Sequence, residues 1–393
     1  MNSENNEKIE KLSAKPTNKD VLRHYICSLV LYGFALMLFY FNPWFKNFLT
    51  VQFINIDLTP LLGCLYLFYL ILAPIIFFII KPKDILNSEN VLILNYFKKL
   101  FTFKFFDINT SRQQIIDFFQ FIKPNSEEAK ALFWYFSRLY FLPVMISMTA
   151  NFLIMGIDIF TKLMFMYSTY VIDPVRFIGY STSKMLAIYR DSILLCLFFF
   201  TCAIEAGVYS LSYFVNCFCK VKSVDMSAFG VISCLCCYIP FKSIVDIFII
   251  PYPENITILT SLESESAFTW LISIVIYLLC LITICSMISL FLRASNLSNR
   301  GIVTKFPYNI VRHPLYSAKI VFIWTMIIYI ISIQLFSNVK TPENIVFGAL
   351  VYGFCYTLIY FFRAVTEERH LYVDDEYKKY CEKVKYRFIF KVW

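Results

Sequence analysis

Polar residues in this chain come as short patches between long apolar runs. The runs lie at about 24–41, 58–80, 131–160, 193–218, 226–250, 268–292, 317–336 and 345–362. At 1.5 Å per helical residue, roughly 20 residues cross the ~30 Å of bilayer hydrocarbon. The pattern therefore predicts an all-α, polytopic transmembrane protein of about eight spans. The third run is long for one crossing, which predicts a tilted or broken helix. Only eight residues, Ser337–Asn344, separate the last two runs, so these form an antiparallel hairpin.

Basic residues set the expected sidedness, because Lys and Arg stay in the cytoplasm. With a cytoplasmic amino terminus, the inside segments are 81–130, 219–225, 293–316 and 363–393. These carry Lys98, Lys99, Lys104, Lys220, Lys222, Arg293, Arg312 and a basic tail. Both termini are then cytoplasmic. One segment resists the scheme: 161–192 falls outside yet holds Lys162, Arg176, Lys184 and Arg190, and a re-entrant or interfacial helix is expected there. Aromatic and basic residues interleave near 92–130, as in helices that lie on a membrane surface. The expected organisation is a tail over 1–23, a region of about six spans over 24–292, and a separate functional region over 293–393.

Composition narrows the class. The chain is 59% hydrophobic and only 16% charged, which excludes an ordinary soluble domain. Its net charge of +9 is accounted for by topology, so no nucleic-acid partner is expected. Thirteen cysteines and only three histidines read as small buried hydrophobes rather than metal ligands, and no metal is expected. Asn255-Ile256-Thr257 is a formal glycosylation sequon. Charges inside the runs are costly and so mark candidates for function. Glu205 is the clearest, and Lys242 with Asp246, one turn apart, is expected to pair.

The candidate chemistry lies at the carboxyl end. Gly301–Tyr316 and Arg363–Leu371 are polar patches at opposite ends of the last hairpin's connection to the interface, and the hairpin brings them to one membrane face. Pro314 keeps His313 out of the helix, so a helix start sits beside Arg312 and His313, an arrangement suited to an anionic group. Tyr308 and Tyr316 offer aromatic faces for an adenine ring or a sulfonium. Arg363 and Glu367 share a helix face, and Glu367-Glu368 offers acceptors for ribose hydroxyls or an ammonium. Such a pocket fits a zwitterionic nucleoside such as S-adenosylmethionine. Singly, each residue is better explained as a stop-transfer charge, and Arg363–Glu367 as a plain helix salt bridge; the joint pattern is what points to a site.

Taken together, Gly301–Tyr316, Arg363-x-x-x-Glu367-Glu368-x-x-Leu371 and Tyr377-x-x-Tyr380-x-x-x-Val384 resemble the isoprenylcysteine carboxyl methyltransferase and phospholipid methyltransferase group. The resemblance covers roughly the final quarter of the chain. It implies an integral-membrane enzyme using S-adenosylmethionine. Val303, Tyr308, Arg312, His313, Pro314, Leu315, Tyr316 and Glu367 would bind cofactor, and Arg363, Glu367 and Glu368 would act in catalysis, Arg363 meeting a substrate carboxylate. Phe306 and Ser317-Ala318 stand where the group often carries glycine, and Arg293 stands near where a Gln contact is expected.

The implied reaction moves a methyl group to a lipophilic substrate reached from the bilayer, with a prenylcysteine-like carboxylate favoured. A phospholipid amine is the alternative and would need a base such as Glu367, Glu368 or Glu205. Other readings are an NADPH-dependent membrane sterol or enone reductase, similar in outline at its carboxyl end, and a transporter or non-enzymatic membrane protein. The expected membrane is a bacterial inner membrane or the endoplasmic reticulum. Val373, Tyr377, Tyr380 and Val384 predict a tail helix that folds back as a lid, supported by Asp374–Lys378 and Asp375–Lys379 pairs.

Overall fold

The computed structural model describes residues 16–51, 54–80, 85, 88–102, 126–172, 181–214, 221–238, 241–242, 266–336 and 343–391. Among these, helix dominates and sheet is confined to two short antiparallel pairs. Six helices are long and apolar enough to cross a membrane. They occupy the expected first, second, third, fourth, sixth and eighth positions. The chain divides into two compact units, Met1–Pro143 and Val144–Trp393.

In the first unit, helix α1 (Asn18–Phe41) begins at a capping box: Asp20 N donates to Thr17 Oγ1 at 3.3 Å while Thr17 N donates to Asp20 Oδ2 at 2.9 Å. These bonds meet amide groups that the first helical turn leaves unpaired. A short helix α2 (Pro43–Leu49) and a two-stranded turn lead into α3 (Thr59–Ile80), which packs on α1. Tyr hydroxyls staple that pair, Tyr25 to the Leu70 carbonyl at 2.7 Å and Tyr66 to the Leu29 carbonyl at 3.2 Å. Of the expected surface helices near 92–130, α4 (Glu89–Thr102) is described. It buries Val91, Ile93 and Tyr96 and is tied to α1 by an Asn90–Ser28 bond of 2.7 Å. Residues 103–125 lie outside the described residues.

Helix α5 (Glu127–Ile172) begins in the first unit and continues into the second. Its 46 residues are far more than the roughly 20 that one crossing needs. Helix α6 (Thr182–Phe214) is also overlong at 33 residues. In the segment 161–192, residues 161–172 and 182–192 are the ends of α5 and α6, and residues 173–180 lie outside the described residues. Two of the basic residues there have local partners, which is how the helices accommodate them: Lys162 pairs with Asp158 at 2.7 Å, and Arg190 with Asp191 at 2.7 Å. Arg176 lies outside the described residues.

The second unit is built on helix neighbours. Helix α7 (Ala228–Leu235), α8 (Ala267–Leu290), α9 (Pro314–Phe336) and α10 (Glu343–Leu371) follow α6 in sequence. Helix α8 packs on both α6 and α9, with Leu194, Ile272, Ile276, Cys280 and Tyr329 forming one apolar cluster. Helices α9 and α10 run antiparallel as expected: Tyr316 meets Glu367, Trp324 meets Thr357, and Ile327 meets Ala349. Gly353 permits their close approach, since a Cβ there would lie 2.4 Å from Ile327 Cδ1. Of the expected span at 226–250, the structure describes α7, a turn at Cys236 and Cys237, and the helical residues 241–242; residues 239–240 and 243–250 lie outside the described residues. Asp246 and the sequon at 255–257 lie outside the described residues.

Candidate functional site

Three pieces of the second unit converge at the interface end of α9 and α10: the loop 294–313, the last turn of α10, and the tail beyond it. The loop is pinned from below by α6. Asn296 N donates to Tyr213 Oη at 2.9 Å, and the buried Arg300 donates to the Ser212 carbonyl at 2.6 Å. Gly301 then takes φ +104°, a conformation open to glycine at no steric cost. At the loop's far end, Arg312 N and His313 N donate to the Tyr386 and Arg387 carbonyls, each at 2.9 Å. The loop and tail are thus joined by backbone hydrogen bonds.

The tail helix α11 (Asp375–Lys383) folds back as the sequence predicts, burying Tyr377, Tyr380 and, just beyond it, Val384 against Ile302 and Leu371. Val373 is not part of that stripe and is 81% exposed. The supporting pairs differ from expectation. Asp374 is the helix N-cap, accepting from Glu376 N at 3.0 Å, which turns its carboxylate away from Lys378. It bonds instead to Asn299 at 3.0 Å and Lys222 at 3.2 Å, while Lys378 pairs with Asp375 at 2.7 Å. Burial alone would raise the Asp374 carboxyl, but the Asn299 amide, the Glu376 N–H and Lys222 hold it below the ordinary value.

Between these pieces lies a cavity of about 100 Å³. Val303, Tyr308, Arg312, His313, Leu315, Tyr316 and Glu367 all line it, as the sequence pattern proposed. Tyr316 Oη donates to Glu367 Oε2 at 2.7 Å, joining the two sequence patches across the hairpin. Glu367 lines this space and makes no other hydrogen bond among the described residues. The Tyr308 phenol is pushed well above its ordinary value by burial and then by the charge of Glu367. It is therefore a neutral donor and an aromatic wall, not a base. Tyr209, Tyr377 and Tyr380 also face the cavity, and none of the three was singled out as a site residue in the sequence reading.

Glu368, next in sequence, has a different environment. It is 2% exposed and bound by two guanidinium groups, Arg312 at 3.3 Å and Arg387 at 2.9 Å, and by the imidazole of His313 through Nε2 at 3.0 Å. It does not line the cavity, and nor does Pro314, which opens α9. Burial works against the Arg312 charge, but Cys381 and Glu368 together raise its pKa, so it remains a fixed cation.

Arg363 stands apart from the cavity lining. Its guanidinium donates to Asn296 Oδ1 at 2.5 Å and to Tyr238 Oη at 3.4 Å, between the rings of Tyr238 and Tyr316. The helix salt bridge to Glu367 is absent among the described residues, because both side chains reach partners on other elements. Asn296 and Tyr238 were invisible as partners in sequence, being 67 and 125 residues away from Arg363. Glu205 pairs with Lys319 across α6 and α9. Lys319, one turn inside an apolar run, carried the same signal as Glu205 and went unnoticed. No cluster of three or more metal-ligating side chains occurs among the described residues. No family model, curated protein or solved structure matches this chain.

Proposed function

We propose that this protein is an integral-membrane methyltransferase that uses S-adenosylmethionine and acts on a lipophilic acceptor reached from the bilayer. The observation that carries the reading is the Tyr316–Glu367 hydrogen bond of 2.7 Å on the wall of one cavity. It places the two halves of the sequence pattern in a single site.

The donor set suits the cofactor. Glu367 Oε1 makes no hydrogen bond among the described residues, so it can accept from ribose hydroxyls. Tyr209, Tyr308 and Tyr316 supply aromatic faces for an adenine or a sulfonium. Arg293, Arg300 and Arg312 give the lining positive charge for a carboxylate. When bound, S-adenosylmethionine supplies an electrophilic methyl, and the protein's part is alignment and exclusion of water. The 100 Å³ cavity is smaller than the roughly 300–1,000 Å³ of pockets that hold drug-sized ligands. Entry of a nucleoside therefore requires the tail helix, with Tyr377 and Tyr380, to move outward and close again.

The test is equilibrium binding of radiolabelled S-adenosylmethionine to the detergent-purified full chain. Saturable binding, lost in Glu367→Ala with folding intact, is the expected result. Binding unaltered by that substitution removes Glu367 from the site, and no binding at all overturns the proposal.

A further inference from the structure

Lys319 and Glu205 form an ion pair inside two apolar helices, with side chains 30% and 19% exposed. Lys319 lies one turn beyond the cavity-lining Tyr316 on α9, and Glu205 one turn before the cavity-lining Tyr209 on α6. The pair thus sits next to the cavity, one helical turn further into the apolar segments. The Tyr308 phenol, on the cavity wall, feels the Glu205 charge.

The pair is incompletely satisfied. Glu205 makes one hydrogen bond, through Oε1 to Lys319, and its Oε2 has no protein partner among the described residues. Lys319 donates only to Glu205, with the Tyr360 ring 5.8 Å from its nitrogen. Three N–H donors stand on an ammonium and two oxygens on a carboxylate. Unmet hydrogen-bonding capacity of this kind is costly in a hydrocarbon environment.

The chemistry of a complement is constrained. An incoming carboxylate would approach Lys319 only against the charge of Glu205, and an incoming ammonium would meet Lys319. A neutral group that both donates and accepts satisfies both partners: its O–H donates to Glu205 Oε2 while its oxygen accepts from Lys319 Nζ. The alternative cation, Arg363, is already engaged by Asn296 and Tyr238 and is only 7% exposed. We infer that the Lys319–Glu205 pair is the head-group subsite for the acceptor, and that this acceptor is a long-chain alcohol or phenol. The inference rests on the proposed methyltransferase reading for the role of the ligand, but not for its binding. Methylating the hydroxyl forms an O–C bond as the donor's S–C bond breaks, and the released proton passes to the Glu205 carboxylate.

The test is photolabelling of the detergent-purified full chain by a long-chain alcohol that carries a diazirine beside its hydroxyl. Peptides containing residue 205 or 319 should be labelled. A long-chain alkylphenol should compete at least about tenfold better than a carboxylate or amine of equal chain length. Labelling should be lost in Glu205→Leu/Lys319→Leu, where removing both charges avoids leaving one of them buried alone. Equal competition by the carboxylate or amine overturns the inference, and that series needs only the wild-type protein. Undiminished labelling of the folded double variant overturns it as well. The cofactor reading fails separately: wild-type protein that binds the alcohol but no S-adenosylmethionine keeps the subsite and loses the methyltransferase.

Discussion

Two carboxylates in the second unit, one buried and one partly buried, are treated in opposite ways. Glu368, at the interface end of α10, is surrounded by Arg312, His313 and Arg387, which between them engage both of its oxygens. Glu205, within α6, has a single partner and an oxygen that no described side chain meets. The contrast separates a carboxylate that holds structure from one that has room for a ligand. Glu367 is the intermediate case, with one oxygen held by Tyr316 and the other facing the cavity. Saturation, more than charge, distinguishes these three glutamates.

The largest way to break the comparison is Glu368→Ala. It removes the carboxylate that Arg312, His313 and Arg387 share and leaves the loop and tail joined by their backbone hydrogen bonds; removing one partner from a buried ion pair costs about 3–5 kcal/mol. Denaturation should show a loss of that size, and a loss below about 1 kcal/mol would make Glu368 dispensable. Tyr316→Phe should weaken S-adenosylhomocysteine binding by one charge-assisted hydrogen bond through its effect on Glu367, about 1.5–3 kcal/mol. Titration calorimetry reads that directly, and unchanged affinity would detach Tyr316 from ligand binding. Arg363→Met removes the charged donor that Asn296 and Tyr238 share, leaving them their mutual hydrogen bond of 3.1 Å, and should destabilise the protein by about 1–3 kcal/mol. If Arg363 instead contacts substrate alone, stability stays at the wild-type level.

The smallest effect concerns the tail latch. The Asp374 carboxyl is held below its ordinary value of 3.8 in the folded protein. Its contribution is therefore present above the unfolded value and is lost as pH falls through the folded one. Lys222 is half exposed, at 45%, so the ion pair itself contributes less than about 1 kcal/mol. Asp374→Asn should flatten the pH dependence of stability below about pH 4 while changing neutral-pH stability little. An unchanged acid limb would remove the latch from the account.

What the sequence made legible follows from range and type of signal. The hairpin was readable because its connection is short, and that alone brought Tyr316 and Glu367 to one face. The tail fold-back was readable from the spacing of Tyr377, Tyr380 and Val384. The Arg363–Asn296–Tyr238 triad was not, because Asn296 sits in a loop without periodicity and Tyr238 beyond a short helix inside an apolar run. Hydropathy placed the ends of α5 and α6 outside any span, because it measures how apolar a stretch is and not how far the backbone stays helical. Lys319 was readable by the rule that singled out Glu205, and only their pairing needed the structure.

The most direct measurement is thermal unfolding of the detergent-purified chain with S-adenosylhomocysteine or NADPH added. A ligand bound only by the folded state stabilises by roughly 2.7 kcal/mol at a hundred times its dissociation constant. A raised midpoint with S-adenosylhomocysteine alone, abolished in Glu367→Ala, is the result predicted here. A raised midpoint with NADPH alone would contradict the account and assign the cavity to a reductase.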